Sequence, residues 1–389
     1  MGKTLSYVLV TPYTIAKSRT GGVLARLLSR TDLDLVGAQM FAPDEKFAGD
    51  YANAIRNRAP SNQLMLLADY AKKNFAPSGG RPHRTLLLLF RGENSSEQLL
   101  NACGHIYTQH VEIDAIAGET IRDTYSDLIF DDDEPEKVRY FEPAVFTPRR
   151  QEESDFDLKL MAEFLDGREN IVENMKYPDP SIIERTLVII KPDNWTHNSS
   201  RPGTIIDIFS RTGLRIVGIK VHRFSLSQAL DFYSPVEAVL KDKLSYDYGK
   251  KAQELLEKEF NFKISDDLAE TIISKFGKEC ARNQFLNIVE FMSGKRHIVP
   301  GEDITKAGNV KCMIIVYEGE NAVKKIRDAL GATDPTQAAE GTVRREFGSN
   351  IMVNTAHASD SVESYNREKK IVRIDNNSVV SIIREHLNA

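Results

Sequence analysis

The chain has 389 residues, of which 41% are hydrophobic and 28% charged, and this balance excludes a disordered or fibrous protein. At roughly 100–200 residues per domain, the length predicts two or three domains. The net charge of −5 argues against a general nucleic-acid binder, which needs a basic face. We find no run of about 18 apolar residues and no signal-peptide pattern, so we expect neither a membrane partner nor export. The three cysteines are too few for a disulfide framework or a zinc site, and we expect a cytoplasmic protein.

Two stretches of the sequence resemble each other, which indicates an internal repeat. Residues 7–40 and 186–221 both open with an apolar run that ends in x-Pro. Both then pass through a helical stretch ending in Ser-Arg-Thr and enter a second apolar run. Residues 86–94 and 313–321 form a further matching pair, and the offset between the copies rises from about 181 to about 227 residues. The second copy therefore carries an insertion, predicted to be helical over about 234–282 because apolar residues recur there at helical spacing.

Each copy is predicted to run in the order strand, helix, strand, helical region, strand, helix. In the second copy, strands are predicted at 187–190, 215–221 and 311–317, and helices at 204–211 and 321–330. A βαββαβ order is the ferredoxin-like pattern of an antiparallel sheet with helices. We therefore predict an α+β protein of two tandem ferredoxin-like domains, 1–170 and 180–375, the second with the helical insertion. Residues 376–389 are predicted to form a C-terminal tail.

Several side chains of the second copy would suit a protein that binds polyphosphates. Lys191 follows a buried-type strand and can present a point charge from a rigid element. Arg327 and Arg344 can make fork-like contacts with phosphate oxygens. Thr333 lies in a predicted turn, where its hydroxyl could donate to a phosphate. Taken singly, each of these residues is more often an ordinary surface or turn residue.

The strongest element is the segment 354–364, with the sequence NTAHASDSVES. A histidine is largely neutral at pH 7 and can act as a nucleophile through one ring nitrogen when a partner fixes its orientation. A carboxylate on the helix that follows His357 could be that partner. We predict that Ser359 and Asp360 cap this helix, with Glu363 in its first turns. A lone loop histidine is more often structural, but this setting is specific.

With this segment the second copy resembles the nucleoside diphosphate kinases, over about 184–374 apart from the insertion. The matching segments are 190–193 (IKPD), 317–319 (YEG), 331–335 (GATDP), 341–344 (GTVR) and 354–364. The resemblance implies a transferase with a ping-pong mechanism. In it, the γ-phosphate of a nucleoside triphosphate moves to His357 and then to a nucleoside diphosphate.

The resemblance also implies roles for individual residues. Lys191 and Asn354 would hold the ribose hydroxyls, and Lys191 would also touch phosphate. Arg327, Thr333 and Arg344 would bind the phosphates. Tyr233 would lie beside the transferred group, and Glu368 would orient His357. Magnesium would bind the phosphates of the nucleotide, with no metal site in the protein itself. Charge neutralisation and positioning would supply most of the catalysis.

Three features depart from the family pattern. Ala358 stands where the family usually has glycine directly after the histidine. Gln284 stands where the family stacks the nucleobase on a phenylalanine, which weakens that stacking or moves it to Phe285. The insertion enters the same nucleotide-lid region, where it could narrow access, change base preference or build an interface.

The first copy resembles the same family more faintly. Thr11 replaces the lysine, Leu100 replaces Arg327, and Arg122 persists at the place of Arg344. Either Pro135 or Val145 takes the place of the histidine, so no phosphotransfer is expected there. The first copy would then be a built-in partner that makes an intrachain pseudo-dimer, and three chains could mimic a hexamer. The alternative is a non-catalytic, nucleotide-sensing or scaffold protein of two kinase-like domains; a nucleic-acid binder is disfavoured because the aromatic fingerprint of RNA-binding sheets is missing.

Overall fold

A computed structural model describes residues 2–58, 61–106, 118–134, 137–173, 175–296 and 301–388, without the side chains of 240–243. The chain divides into two compact units. The first contains Met1–Val221, Met313–Lys369 and Arg373–Ala389, and the second contains His222–Cys312 and Lys370–Val372. Both copies of the repeat lie in the first unit. The division into domains 1–170 and 180–375 therefore stays a prediction that rests on the repeat.

The first copy contains a four-stranded antiparallel sheet with helices. Its elements are β1 (Thr4–Val10), α1 (Pro12–Ala16), α2 (Thr20–Arg30), β2 (Asp34–Phe41), α3 (Glu45–Arg56), α4 (Asn62–Asn74), β3 (Thr85–Gly92), α5 (Ser95–Cys103), α6 (Ile121–Tyr125), β4 (Asp127–Phe130), β5 (Val138–Glu142), β6 (Val145–Phe146) and α7 (Gln151–Leu165). The sheet order is β2-β3-β1-β6, and β4 pairs separately with β5. This is the ferredoxin-like order, in which the first strand lies between the third and the fourth.

The second copy, its insertion and the C-terminal tail form the rest of the chain. Their elements are β7 (Ile183–Ile190), α8 (Arg201–Ser210), β8 (Arg215–His222), α9 (Leu226–Phe260), α10 (Asp266–Thr271), a π-helix (Ile272–Gly277), α11 (Lys278–Ser293), β9 (Cys312–Glu320), α12 (Ala322–Leu330), α13 (Val343–Phe347), β10 (Ala356–Ala358), α14 (Val362–Ile371) and α15 (Val379–Leu387). The second sheet has the order β10-β7-β9-β8. Since both copies share this topology, the predicted α+β fold of two ferredoxin-like sheets is confirmed.

The first sheet is buried on both faces, which explains its long apolar runs. Val8 and Val10 of β1 face one hydrophobic core, which also contains residues of α2 and α5. Tyr7 and Leu9 face a second core, formed with α3, α4 and α7. The alternation follows from the pleat of the strand, which turns successive side chains to opposite faces.

The described residues of the predicted insertion lie mainly in helices, of which α9 begins before residue 234. It begins at Leu226, where Ser225 and Gln228 form a capping box, and it continues past Pro235 to Phe260. The insertion therefore lengthens a helix of the second unit. Within this unit α9 packs so closely on the π-helix that a Cβ atom on Gly277 would lie 2.0 Å from the carbonyl oxygen of Ser245.

The predicted tail is an ordered helix, α15. Val379 and Ile383 have no exposed surface and belong to the second core of the first copy, together with residues of α7 and β1. The C-terminal helix of the chain therefore completes the core of the first copy. Among the helices that the structure describes, none is long and apolar enough to cross a membrane.

The two copies pack against each other through their equivalent helices, α2 and α8. A Cβ atom on Gly203 would lie 2.3 Å from the backbone nitrogen of Ala25 and from the carbonyl oxygen of Gly21. Only a residue without a side chain permits so close an approach of two backbones. Val23, Leu27 and Ile205 continue the contact in one core shared by both sheets.

We expect Gly203→Ala to lower the free energy of unfolding by about 1–3 kcal/mol, the usual effect of overpacking. The reason is that the added methyl group must separate α2 from α8. Thermal and urea unfolding would measure the change. The control is Gly49→Ala in α3, where nothing lies within 4 Å of the new Cβ atom, and where alanine should stabilise the helix by up to about 1 kcal/mol. A Gly203→Ala protein as stable as the original would refute the close contact.

Candidate active site

The register of β10 on β7 brings the predicted lysine and histidine to one edge of the second sheet. His357 pairs with Ile189 and Ala356 pairs with Ile190, while Lys191 follows directly after β7. The side chain of His357 is 23% exposed, whereas Ala356 and Ala358 on either side are buried. The histidine is therefore the residue of this edge strand that reaches solvent.

A strained turn precedes β10. Thr355 has a φ of 75°, in the left-handed region that β-branched residues rarely adopt. Its carbonyl oxygen accepts hydrogen bonds from the backbone of Lys191 at 2.9 Å and from the side chain of Asn194 at 2.8 Å. Its hydroxyl accepts one from Arg201 at 2.9 Å. These contacts hold a conformation that costs on the order of 1–3 kcal/mol, and such strain is commonly found at functional sites.

Glu368 holds the ring of His357. Its Oε1 lies 3.1 Å from Nε2 of His357, and its Oε2 accepts a hydrogen bond from the hydroxyl of Ser359 at 2.7 Å. Arg367 lies 3.7 Å from the same carboxylate. Glu368 is only 3% exposed, so its two oxygens are fixed by protein groups and the imidazole is oriented.

The cap of α14 differs from the prediction. The hydroxyl of Ser361 accepts a hydrogen bond from the backbone of Ser364 at 3.0 Å, and the helix begins at Val362. Ser359 does not cap this helix, because its hydroxyl is used by Glu368. Glu363 is exposed in the first turn.

Lys191 and Asn354 lie in direct contact. The Nζ of Lys191 donates to Oδ1 of Asn354 at 2.6 Å, and the lysine is 8% exposed. Burial, and then the nearby charge of Arg344, lower the pKa of Lys191 to about 7. The amide of Asn354 donates to the carbonyl oxygen of Thr333 at 3.0 Å, which ties the lysine to the turn after α12.

Arg344 is buried beneath the same site. Its guanidinium donates to the carbonyl oxygens of Gly331 at 3.1 Å and Ala356 at 3.2 Å. It also lies 3.5 Å from the hydroxyl of Thr333, which is exposed. Arg344 therefore links the end of α12 to the strand that carries His357.

Arg327 is exposed on α12, near Asp360. A hydrogen bond from Ser364, together with the charges of Arg327 and His357, holds the pKa of Asp360 below its ordinary value. Arg327 and His357 thus each lie within electrostatic reach of Asp360. Of the eight predicted site residues, the structure brings seven together in the first unit: Lys191, Arg327, Thr333, Arg344, Asn354, His357 and Glu368.

The eighth, Tyr233, lies on α9 in the second unit. It is 6% exposed, and its ring centroid lies 5.1 Å from that of Phe232. Its role beside the transferred group stays a prediction. In the same unit Phe285 is buried on α11, so its ring is not presented as a stacking surface, while Gln284 is half-buried.

Sequence analysis missed Arg201. This arginine at the start of α8 contacts Asp193 at 3.2 Å as well as the hydroxyl of Thr355. Burial raises the pKa of Asp193, although Arg201 and Lys191 oppose the rise. The only signal in the sequence is an arginine ten residues after Lys191, which does not by itself indicate a contact with the histidine loop.

The first copy places a different residue than predicted at the position of the histidine. Val10 pairs with Val145, and Leu9 pairs with Phe146. Because Thr11 matches Lys191, Leu9 matches Ile189, the partner of His357. Phe146 therefore occupies the equivalent position, one residue beyond Val145. The alternative, Pro135, lies outside the described residues.

An oriented histidine beside three cationic side chains can bind a polyphosphate and accept a phosphoryl group. Among the residues that the structure describes, no group of three His, Cys, Asp or Glu side chains could hold a metal ion.

Comparison with known proteins identifies the family. The family model described as nucleoside diphosphate kinase matches residues 184–246 and 281–376, and the unmatched 247–280 fall inside the predicted insertion. The chain is 34% identical over 182 residues to a nucleoside diphosphate kinase of Bradyrhizobium diazoefficiens, covering 47% of this chain and 87% of that protein. It is 35% identical over 182 residues to one from Myxococcus xanthus, covering 47% and 84%. The chain belongs to the nucleoside diphosphate kinase family and is a phosphotransferase enzyme.

One solved structure, the nucleoside diphosphate kinase of Aquifex aeolicus, aligns at 27% identity with a TM-score of 0.30. That alignment covers 49% of this chain and 94% of the other. The similarity is too low to support the fold, which is established by the order of the strands.

We expect Lys191→Met to remove a pH dependence of stability. The folded protein loses the lysine proton above a pKa of about 7, whereas the unfolded chain keeps it to about 10.4. Between these values the unfolded state binds more protons, so stability rises with pH. From pH 7 to 9 the original protein should gain about 2 kcal/mol relative to the variant. Urea unfolding at both pH values measures this, with Lys72→Met at an exposed position as the control; equal gains in all three proteins would contradict it.

Proposed function

We propose that the chain is a nucleoside diphosphate kinase with one working site, and that His357 carries the phosphoryl group between two nucleotides. The observation that carries the proposal is the contact of His357 with the buried carboxylate of Glu368, beside the cationic groups of Lys191 and Arg344. The curated relatives, named for this activity, support it.

In the first step, the ring nitrogen of His357 that Glu368 does not hold attacks the γ-phosphorus of a nucleoside triphosphate. A phosphorus–nitrogen bond forms, the bond to the β-phosphate oxygen breaks, and the nucleoside diphosphate leaves with its electron pair. In the second step, a terminal oxygen of another nucleoside diphosphate attacks the phosphohistidine, and the phosphorus–nitrogen bond breaks. Throughout, the carboxylate of Glu368 accepts a hydrogen bond from the other ring nitrogen and balances its positive charge.

The cationic groups bind and neutralise the phosphates. Arg327 is exposed and can reach the phosphates of a bound nucleotide, while Arg344 and Lys191 form the base of the site. A bound phosphate raises the pKa of Lys191, so nucleotide binding increases the charge that stabilises the transition state. Thr333 would donate to a phosphate, and Asn354 would position Lys191 and contact the ribose.

We propose that Mg²⁺ binds the nucleotide's own phosphates. The donors in this structure fit an ion delivered in that way, since magnesium is usually held by one or two carboxylates and substrate phosphates. Asp360, whose pKa is lowered, is an ionised carboxylate near His357. When bound, the ion supplies charge neutralisation of the polyphosphate.

We propose that the first copy is a built-in partner that makes the chain an intrachain pseudo-dimer. The packing of α2 on α8 through Gly203 supports this arrangement, and Phe146 at the histidine position cannot be phosphorylated. We propose that such chains also assemble into homo-oligomers. All three cysteines are free thiols, which favours the cytoplasm.

The phosphoenzyme can be observed directly. Mixing the purified protein with MgATP should add one phosphoryl group per chain to the intact mass, and excess UDP should remove it. His357→Ala should abolish the gain, because no other nucleophile is proposed. A chain that binds nucleotide but never gains mass would instead support the non-catalytic sensing or scaffold protein.

Glu368→Gln should slow phosphoenzyme formation by roughly 10- to 100-fold, since a hydrogen bond to a charged group contributes about 1.5–3 kcal/mol. Rapid-quench measurement of the phosphorylated fraction gives the rate, and the dissociation constant of ADP should stay unchanged because Glu368 positions the histidine only. The matched control is Glu363→Gln, on the exposed face of the same helix. An equal loss in both variants would exclude a specific role for Glu368.

A further inference from the structure

The first copy contains a cavity of about 420 Å³ that no step of the proposed reaction uses. Its apolar wall includes Tyr51, Leu64, Leu67 and Phe146, all buried. The cationic side chains on its lining are Arg58, Arg122 and Arg149. A cavity of this size with one apolar wall and a few polar groups is typical of small-molecule sites.

The cavity occupies the position in the first copy that the candidate active site occupies in the second. Arg122 donates to the carbonyl oxygens of Gly104 and Val145, the latter at 3.1 Å. Arg344 makes the same two contacts at the equivalent positions, Gly331 and Ala356. The backbone frame of the site is therefore retained, although Phe146 lines the cavity where the nucleophile would stand.

Two of the three arginines are neutralised by nearby carboxylates. Arg58 contacts the buried carboxylate of Asp157 and lies 3.6 Å from Glu153. Arg149 pairs with Glu153 at 3.0 Å. These two cationic and two anionic side chains leave no net charge at this end of the cavity.

Arg122 has no such compensation. It is 3% exposed, and its partners among the described residues are the two backbone carbonyl oxygens, with none for its Nε atom. Burial lowers the pKa of Arg122, as expected for a desolvated cation without a carboxylate beside it. An uncompensated buried charge costs several kcal/mol unless an anion pairs with it.

We propose that this cavity is a second, non-catalytic binding site for a nucleotide-sized phosphate ester. Its phosphate would complement Arg122, and its apolar body would lie against Tyr51, Leu64 and Leu67. Because Phe146 stands at the position of His357, the ligand is bound and released unchanged. This function goes beyond the proposed kinase activity: the first copy would sense phosphate esters without transferring a phosphoryl group.

Photolabelling with 8-azidoadenosine diphosphate, followed by peptide mapping, tests the site in the full chain independently of turnover. We expect label on peptides that contain residues 51–67 or 100–106. Leu100→Trp should reduce this label at least tenfold, because the half-buried Leu100 lines the cavity and the larger ring fills it. Label on second-copy peptides should not change. The control is Leu255→Trp, an exposed leucine in the second unit.

Competition experiments distinguish the contributions of the phosphate and of the apolar part of the ligand to binding. Unlabelled ADP should protect the first-copy peptides, while adenosine and inorganic phosphate should each protect at least tenfold less. Equal protection by adenosine would exclude a role for Arg122, and equal protection by phosphate would exclude the apolar wall. Either result overturns the proposal.

Failure of this site is distinguishable from failure of the kinase. Absence of first-copy label with probe up to about 1 mM, a concentration that detects affinities of about −4 kcal/mol, overturns the second site whether or not the second copy is labelled. Arg122→Lys provides a second variant, expected to weaken first-copy labelling while the phosphoenzyme still forms. If it does not fold, Leu100→Trp decides the question.

Discussion

The geometry of the candidate active site depends on the left-handed turn at Thr355. A β-branched residue does not adopt this backbone conformation without support, and here three hydrogen bonds from Lys191, Asn194 and Arg201 supply it. The same contacts join the end of β7, the start of α8 and the strand that carries His357. His357 and Lys191 are thus positioned by one rigid connection, which limits the reorganisation that the proposed phosphoryl transfer would require.

The sequence predicts the contact of His357 with Glu368 more accurately than the register of the strands. His357 and Glu368 were expected to meet, and they do, because a helix following directly after the histidine strand limits where its carboxylate can lie. Val145 was assigned one residue away from Phe146, because counting along a divergent copy does not reveal which residue of β1 faces which residue of β6. The contact of Arg201 with the histidine loop cannot be predicted from local sequence, because the two lie more than 150 residues apart.

The two copies show which parts of the site are shared and which differ. The buried arginine keeps the same pair of carbonyl contacts in both, since removing it would leave the helix end and the strand without a donor. Two other cationic positions differ: Thr11 stands for the buried Lys191, and Leu100 stands for the exposed Arg327. The first copy keeps a structural frame with a buried cation, and the absence of these two charges, more than any change of fold, separates the two halves.

The C-terminal helix has a consequence for synthesis on the ribosome. Val379 and Ile383 fill the core of a half whose own strands begin at Thr4, so that half stays incomplete until more than 370 further residues have been made. During this interval the apolar side chains of α7 and the first sheet that α15 will later cover stay exposed. A chain whose synthesis stops before α15 therefore has an incomplete core in its first copy. Such products expose apolar surface and are natural targets for chaperones and proteases.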